Sequence, residues 1–280
     1  MPKERFHLYL ADELLNGCAG SLKELGTSRS VEFFIGTISP DIFFYDLPSF
    51  SLSPLGNALH DLVDRQGISP IGDWIAQTRP LSKTASAERV LWALGFACHF
   101  LADAAWHPVI NGLSGSMDYC GGKRLSEIEC HRLLESELEA LWLARSRTPQ
   151  RYTDLLKDFG RDRDRLFEIA SNYRRFLDYV GLDAGVSETR ILRCYLRQNL
   201  FLRLFANRML GRHRDRMLDL PYARYPGSLI TPARPVLPAL FSRTFPEERN
   251  PFSDYFMEQA LTSLKANLCA FAERLSQFLT

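Results

Sequence analysis

Apolar residues recur every three or four positions in seven stretches of the chain, 6–15, 55–64, 87–109, 124–145, 163–180, 189–210 and 255–279. That period predicts amphipathic helices. Alternating runs of strand length are hard to find, and no unit of 20 to 50 residues repeats, so sheets and solenoids are disfavoured. The expected class is all-α. Proline and glycine mark connections at Ser39-Pro40, Ser69-Pro70-Ile71-Gly72, Gly112 to Gly122 and a long stretch from Pro221 to Pro251. A lone C-terminal helix after that last stretch could not bury itself, so residues 1–280 are expected to form a single multi-helix domain.

The polar residues that break the apolar stripes are the informative ones. In 87–109 one helical face runs through Trp92, Phe96, His99, Asp103, Trp106, His107 and Ile110. Residues four apart on a helix are neighbours, so His99, Asp103 and His107 form a row able to chelate or bridge cations. Composition alone produces an HxxxDxxxH match about 0.01 times in a chain like this one. In 124–145 the stripe Leu125, Ile128, His131, Glu135, Leu138 and Trp142 carries a second inward pair, His131 and Glu135. Unpaired imidazoles and carboxylates are costly to bury, so each pair needs a partner or a metal. Either pair alone is equally well read as a buried histidine–acid hydrogen bond that stabilises helix packing. Two such helices in one chain favour the metal. His7, Asp41 and His60 are weaker candidates upstream, since an Asp after Pro often caps a turn.

Composition narrows the function without deciding it. Hydrophobic residues make up 46% of the 280, enough for a sizeable core, and 34 basic against 33 acidic residues leave a net charge of +1. No global field draws the protein to nucleic acid or an anionic bilayer. Basic residues concentrate between Arg145 and Arg224, where a solvated helix face is the simpler reading than a phosphate surface. Residues 1–15 carry too many charges for a secretory signal, and the most apolar segment, 90–106, contains His99 and Asp103. A cytoplasmic location without a transmembrane segment is expected. The six cysteines lack CxxC spacing and read as reduced thiols.

Taken in order, His7, Ser39-Pro40-Asp41, His60, His99-xxx-Asp103-xxx-His107 and His131-xxx-Glu135 resemble the zinc-dependent phospholipase C and P1 nuclease superfamily over residues 7 to 142. The likeness is greatest to the bacterial zinc-dependent phospholipase C family and to the catalytic domain of glycosylphosphatidylinositol-specific phospholipase D. It implies an all-α fold with two to three Zn²⁺ ions in a cleft, the ligands within 1–145 and a helical completion in 146–280. Asp41, His60, His99 and Asp103 would hold one ion, and His107, His131 and Glu135 a second. His7 with the shared Asp103 carboxylate would hold a third. Secreted relatives complete that third site with an N-terminal tryptophan, which this chain lacks. The step from Asp103 to His107 is shorter than in those enzymes.

The implied activity is phosphodiester hydrolysis by a zinc-activated water, with Asp41 as proton acceptor and a phospholipid as substrate, met in transient contact with a membrane surface. A P1-type nuclease is the alternative, as is a non-catalytic zinc-binding helical protein. Phe33, Phe34, Phe43, Phe44, Tyr45 and Phe50 could shape an apolar mouth or simply pack the core. Choline-preferring relatives have an aromatic after the aspartate where this chain has Ile42. Asp46, Asp61, Asp64 and Asp73 are candidates to orient ligand rings. Cys98 and Cys130 each precede a proposed ligand, but adjacent helical residues point about 100° apart.

Overall fold

In the computed structural model, residues 4–17, 30–78, 83–115, 125–145, 161–182, 185–205, 207–233, 235, 237 and 250–276 are described. They contain eleven α-helices and no strand. These are α1 (Glu4–Gly17), α2 (Ser30–Ile38), α3 (Ser53–Gln66), α4 (Ser69–Gln77), α5 (Lys83–Ser114), α6 (Glu127–Arg145), α7 (Arg163–Tyr179), α8 (Glu188–Phe205), α9 (Arg208–Asp219), α10 (Arg224–Leu229) and α11 (Asp254–Ser276). A 3₁₀ turn, Ile42–Tyr45, follows α2. The all-α expectation therefore holds.

The local chemistry sets the boundaries. Helix α6 begins at Glu127 rather than 124 because Ser126 and Glu129 close a capping box. The Glu129 carboxylate accepts from the Ser126 backbone N–H at 2.8 Å, and Ser126 Oγ accepts from the Glu129 N–H at 3.3 Å. Pro70 does not mark a connection. It sits at the start of α4, where its missing N–H costs nothing. The stretch 189–210, expected as one helix, splits at Asn207, whose side chain accepts from the Met209 N–H at 2.9 Å and starts α9. Part of the Pro-rich stretch forms α10, and 238–249 lies outside the described residues.

A continuous buried apolar cluster extends from Phe6 in α1 to Leu275 in α11. Its densest part is aromatic, with Trp92 of α5 meeting Trp74, Phe96, Tyr173 and Phe176 at 4.8 to 6.2 Å between centroids. The closest helix approach is α2 on α5. A Cβ on Gly95 would lie 1.9 Å from the Phe33 carbonyl oxygen, and one on Gly36 would lie 2.1 Å from that of Trp92. Only glycine permits the two backbones to come so near. Nothing after residue 160 contributes a predicted ligand, yet α8 braces the segment that runs from the end of α2 through the 3₁₀ turn to Asp46. Gln198 donates to the Ile38 carbonyl at 2.9 Å, Tyr195 bonds Ser39, and Arg190 pairs with Asp46 at 2.6 Å.

Cysteine chemistry departs from expectation at one described residue. Cys130 is disulfide-bonded, while among the other described cysteines Cys98, Cys194 and Cys269 lie outside any disulfide. Sequence spacing reports only local pairing, whereas a disulfide needs partners that the fold brings together. Cys98 is 1% exposed and serves as core. Neither cysteine beside a proposed ligand is a free, accessible nucleophile.

Candidate metal centre

Five elements aim the predicted residues at one volume. Helix α1 supplies His7, the turn after α2 supplies Asp41, and α3 supplies His60. The 3.6-residue period of α5 stacks His99, Asp103 and His107, and α6 crosses them with His131 and Glu135. All eight come together, none pointing elsewhere. Groups able to hold an ion are His7, Asp41 and His99; His60, His99 and Asp103; and His107, His131 and Glu135, each with its ligand atoms within 4.8 Å of one another.

Asp103 links the groups. Its Oδ2 lies 3.2 Å from His99 Nε2 and 3.8 Å from His60 Nε2. Its Oδ1 lies 3.3 Å from His7 and 3.4 Å from His107. Glu135 Oε1 then reaches His131 at 2.9 Å and His107 at 3.4 Å. Despite the short step from Asp103, His107 stands beside His131 and Glu135, as the resemblance implies. His7 differs in detail. Its ring stacks on His99 at 4.1 Å, so it also joins Asp41 and His99.

Two rings are oriented by backbone. His99 Nδ1 pairs with the Thr37 carbonyl at 2.9 Å and His60 Nδ1 with the Gly56 carbonyl at 2.8 Å. A carbonyl can only accept, so Nδ1 carries a proton in both rings and Nε2 is left facing the centre, where it can bind a proton or a metal. The tight α2–α5 contact is what brings Thr37 to His99. Asp46, Asp61, Asp64 and Asp73 do not perform this role. Asp46 is held by Arg190, Ser49 and Ser51, and the other three are exposed.

Asp41 precedes a 3₁₀ turn in the cap position, yet its side chain makes no capping bond. It is 0% exposed, and neither carboxylate oxygen has a hydrogen-bond partner. Its oxygens face His60 Nε2 at 3.4 Å and His99 Nε2 at 3.6 Å. The His99 Nε2 and Asp103 Oδ2 atoms are likewise buried without a partner. Lone pairs thus face lone pairs in a dry volume, an arrangement that only a shared proton or a cation stabilises. A void of about 10 Å³ between His7, Asp103, His107 and Glu135 is the size of one water or ion.

Proton affinities follow from the same geometry. Burial opposes charge on His60 and His107, but the carboxylates outweigh it, pushing His60 up to about 9 through Asp41 and Asp103 and His107 up to about 10 through Asp103 and Glu135. His131 is raised by Glu135 against its own burial. His7 goes the other way, down to about 3, because it is desolvated and lies beside His99. Burial likewise opposes ionisation of Asp103 and Glu135, yet the surrounding imidazoles hold both carboxyls far below their usual range. The centre therefore gathers ionised carboxylates that bind either protons or a metal.

Aromatic side chains contribute less than their number suggests. Phe33, Phe34, Phe43 and Tyr45 are core, as is Ile42. Phe44 packs on His60 at 5.9 Å, and Phe50, half exposed, adopts a left-handed backbone with φ of 52°. The residues that the spacing argument missed are Thr37 and Gly56, which act through carbonyls that any residue possesses. Ser39, Tyr195 and Gln198 were missed because their pairing spans about 160 positions. Ile128, placed on the inward stripe, is 61% exposed.

No curated protein and no solved structure matches the chain. A sequence model of the zinc dependent phospholipase C family matches residues 6–181, a span that begins next to His7 and takes in every residue of the centre. The chain belongs to that family, and its histidine and carboxylate groups support a zinc-dependent phosphoesterase.

Proposed function

We propose that this chain, as a member of the zinc-dependent phospholipase C family, hydrolyses the phosphodiester of a phospholipid headgroup at the centre formed by His7, Asp41, His60, His99, Asp103, His107, His131 and Glu135. The observation that carries the reading is the set of buried, mutually facing atoms, Asp41 Oδ1 and Oδ2, His99 Nε2 and Asp103 Oδ2, none of which has a hydrogen-bond partner. Such oxygen and imidazole sets with open positions are catalytic in type, whereas structural zinc sites are usually closed and rich in cysteine. These residues would hold zinc, which when bound would polarise phosphoryl oxygens and bring the acidity of a water near neutrality.

The residues of the chain then divide the work. Asp41, buried and without a hydrogen-bond partner, accepts the proton of the attacking water through the oxygen nearest His60. His60, His107 and His131 are the ligands that solvent reaches, with side chains 21%, 29% and 21% exposed, so substrate enters from their side. Phe44 and Phe50 offer the apolar contact for an acyl chain. No helix among the described residues is long and apolar enough to cross a membrane, so the lipid is met at a surface.

Metal content per chain, measured alongside hydrolysis of a short-chain phospholipid, single-stranded DNA and bis(p-nitrophenyl) phosphate, tests the proposal. Zinc at two or more equivalents, with phospholipid the best substrate and full loss in chelator, is expected. Preference for the single-stranded DNA would move the substrate to nucleic acid, and activity that survives chelation would refute the zinc chemistry.

A further inference from the structure

Beside the centre lies a groove of about 230 Å³ between the end of α5 and the start of α6, lined by Asn111, Ser114, Glu127, Ile128, His131 and Arg132. His131 belongs both to this groove and to the ligand group with His107 and Glu135, so the groove opens onto the centre. Arg132 stands at that junction. Its Nη1 is 3.7 Å from Glu135 Oε2, too long for a hydrogen bond, while Glu135 Oε1 turns to the histidines.

Two arginines that are buried among the described residues close onto carboxylates through a terminal nitrogen. Arg214 donates to Glu137 at 2.6 Å and Arg5 to Glu139 at 3.3 Å. Arg132 does not. Its Nε and Nη1 are shielded from solvent and have no hydrogen-bond partner, although the side chain is 14% exposed. A guanidinium stays charged, has donors only, and loses stability when those donors are dry and unused. Arg132 lines the groove, so an oxyanion there would satisfy them once the side chain turns outward, as guanidinium and phosphate oxygens suit each other. No Phe, Tyr or Trp lines the groove among the described residues, so nothing there answers a quaternary ammonium.

We propose that this groove is a phosphate subsite in which the Arg132 guanidinium, turned outward from Glu135, donates to a non-bridging phosphate oxygen of a ligand that also reaches the His107, His131 and Glu135 group. The subsite deepens the hydrolase reading and rests on it for the identity of the substrate. The phosphate can belong to a lipid headgroup or be free inorganic phosphate.

The experiment compares wild type, Arg132→Gln and Arg132→Lys as full-length zinc-loaded protein. It combines calorimetric titration with inorganic phosphate, metal analysis, melting temperature, and hydrolysis of bis(p-nitrophenyl) phosphate and a short-chain phospholipid. Loss of a charged hydrogen bond predicts phosphate affinity weakened roughly 10- to 100-fold in Arg132→Gln. Zinc content and melting should be unchanged, and Arg132→Lys should recover part of the affinity. A parallel rise in KM for the lipid supports the headgroup phosphate as occupant, and weakened inorganic phosphate binding alone supports the free anion. Unchanged phosphate affinity in Arg132→Gln overturns the subsite, as does loss of zinc, which would make Arg132 a brace for Glu135. If wild type hydrolyses no phosphodiester but still loses phosphate affinity on substitution, the subsite stands and the hydrolase reading falls.

Discussion

The two ends of the centre are built to different standards. Around His99 everything is dry and fixed, with His99 and Asp41 both 0% exposed, His99 held by the Thr37 carbonyl and the backbone of α2 locked onto α5 by Gly36 and Gly95. Around His131 the rings are one-fifth to one-third exposed, no described backbone carbonyl orients His107 or His131, and a groove opens alongside. A fixed group favours retention of an ion and a set position for Asp41. A half-open one favours exchange of water for substrate. Where one protein needs both, the geometry assigns them to opposite oxygens of Asp103.

The comparison breaks first at Asp103. Because this carboxylate faces His7, His60, His99 and His107 at once, Asp103→Asn should lower zinc by more than one equivalent and reduce phosphodiester hydrolysis by roughly 10²–10³-fold or more. By contrast, His131→Ala should remove a single equivalent and leave the rest bound. Metal analysis on both variants checks this, and equal losses would abolish the distinction between the two ends. Rigidity itself is tested at Gly95. A methyl there meets the Phe33 carbonyl at 1.9 Å, so α2 must withdraw, and Gly95→Ala should cost about 3 kcal/mol in denaturant unfolding. Because Thr37 moves with α2, the same variant should weaken the His99 group more than the His131 group.

This contrast was only half legible beforehand. The ligands of α5 and α6 announce themselves because a polar residue on an apolar helical face is a costly exception, and two such exceptions at four-residue steps coincide. Helix α2 gave no such signal. Phe33, Phe34, Ile35, Thr37 and Ile38 are all buried, so the helix is apolar all round and shows no period. Its role depends on Gly36 facing Gly95 and on a main-chain carbonyl, neither of which residue identity reveals. The brace from Tyr195, Gln198 and Arg190 was equally hidden, since nothing in a local pattern links α8 to the segment after α2. At Ile128 the period placed an apolar side chain inward, but the residue sits in the first turn of α6, beside the groove rather than over the core.

Acidity separates the metal-loaded from the metal-free centre. Zinc must displace the protons that the carboxylates hold on His60 and His107, whose values rise to about 9 and about 10. Zinc affinity should therefore increase as pH rises towards about 9 to 10, and activity should fall progressively as pH drops below that range. In the chelated protein the sign reverses. Groups raised in the folded state contribute stability that is complete below the unfolded histidine value, about 6.5, and is lost as pH rises through 9 to 10. Melting curves across that window should fall for chelated protein and rise or stay level for zinc-loaded protein.

The smallest effect is expected at Asp46, which lies at the rigid end but outside the ligand set. Hydrogen bonds from Arg190, Ser49 and Ser51 outweigh burial and hold its carboxyl down at about 2. A depressed acid contributes stability that is complete above its unfolded value, about 3.9, and is lost as pH falls through about 2. Arg190 is 39% exposed, so solvent screening reduces the contribution to about 1 kcal/mol. Asp46→Asn should lower the melting temperature by about 2 °C at neutral pH and flatten the decline in stability between about pH 4 and about pH 2. The residue braces the turn that carries Asp41 and touches no imidazole. Zinc content should thus stay constant while kcat falls a few-fold, because Asp41 loses its set position without losing its neighbours. A variant that instead shed zinc would mean that the rigid end depends on this exposed ion pair, and that its stiffness comes from α8 more than from the α2–α5 contact.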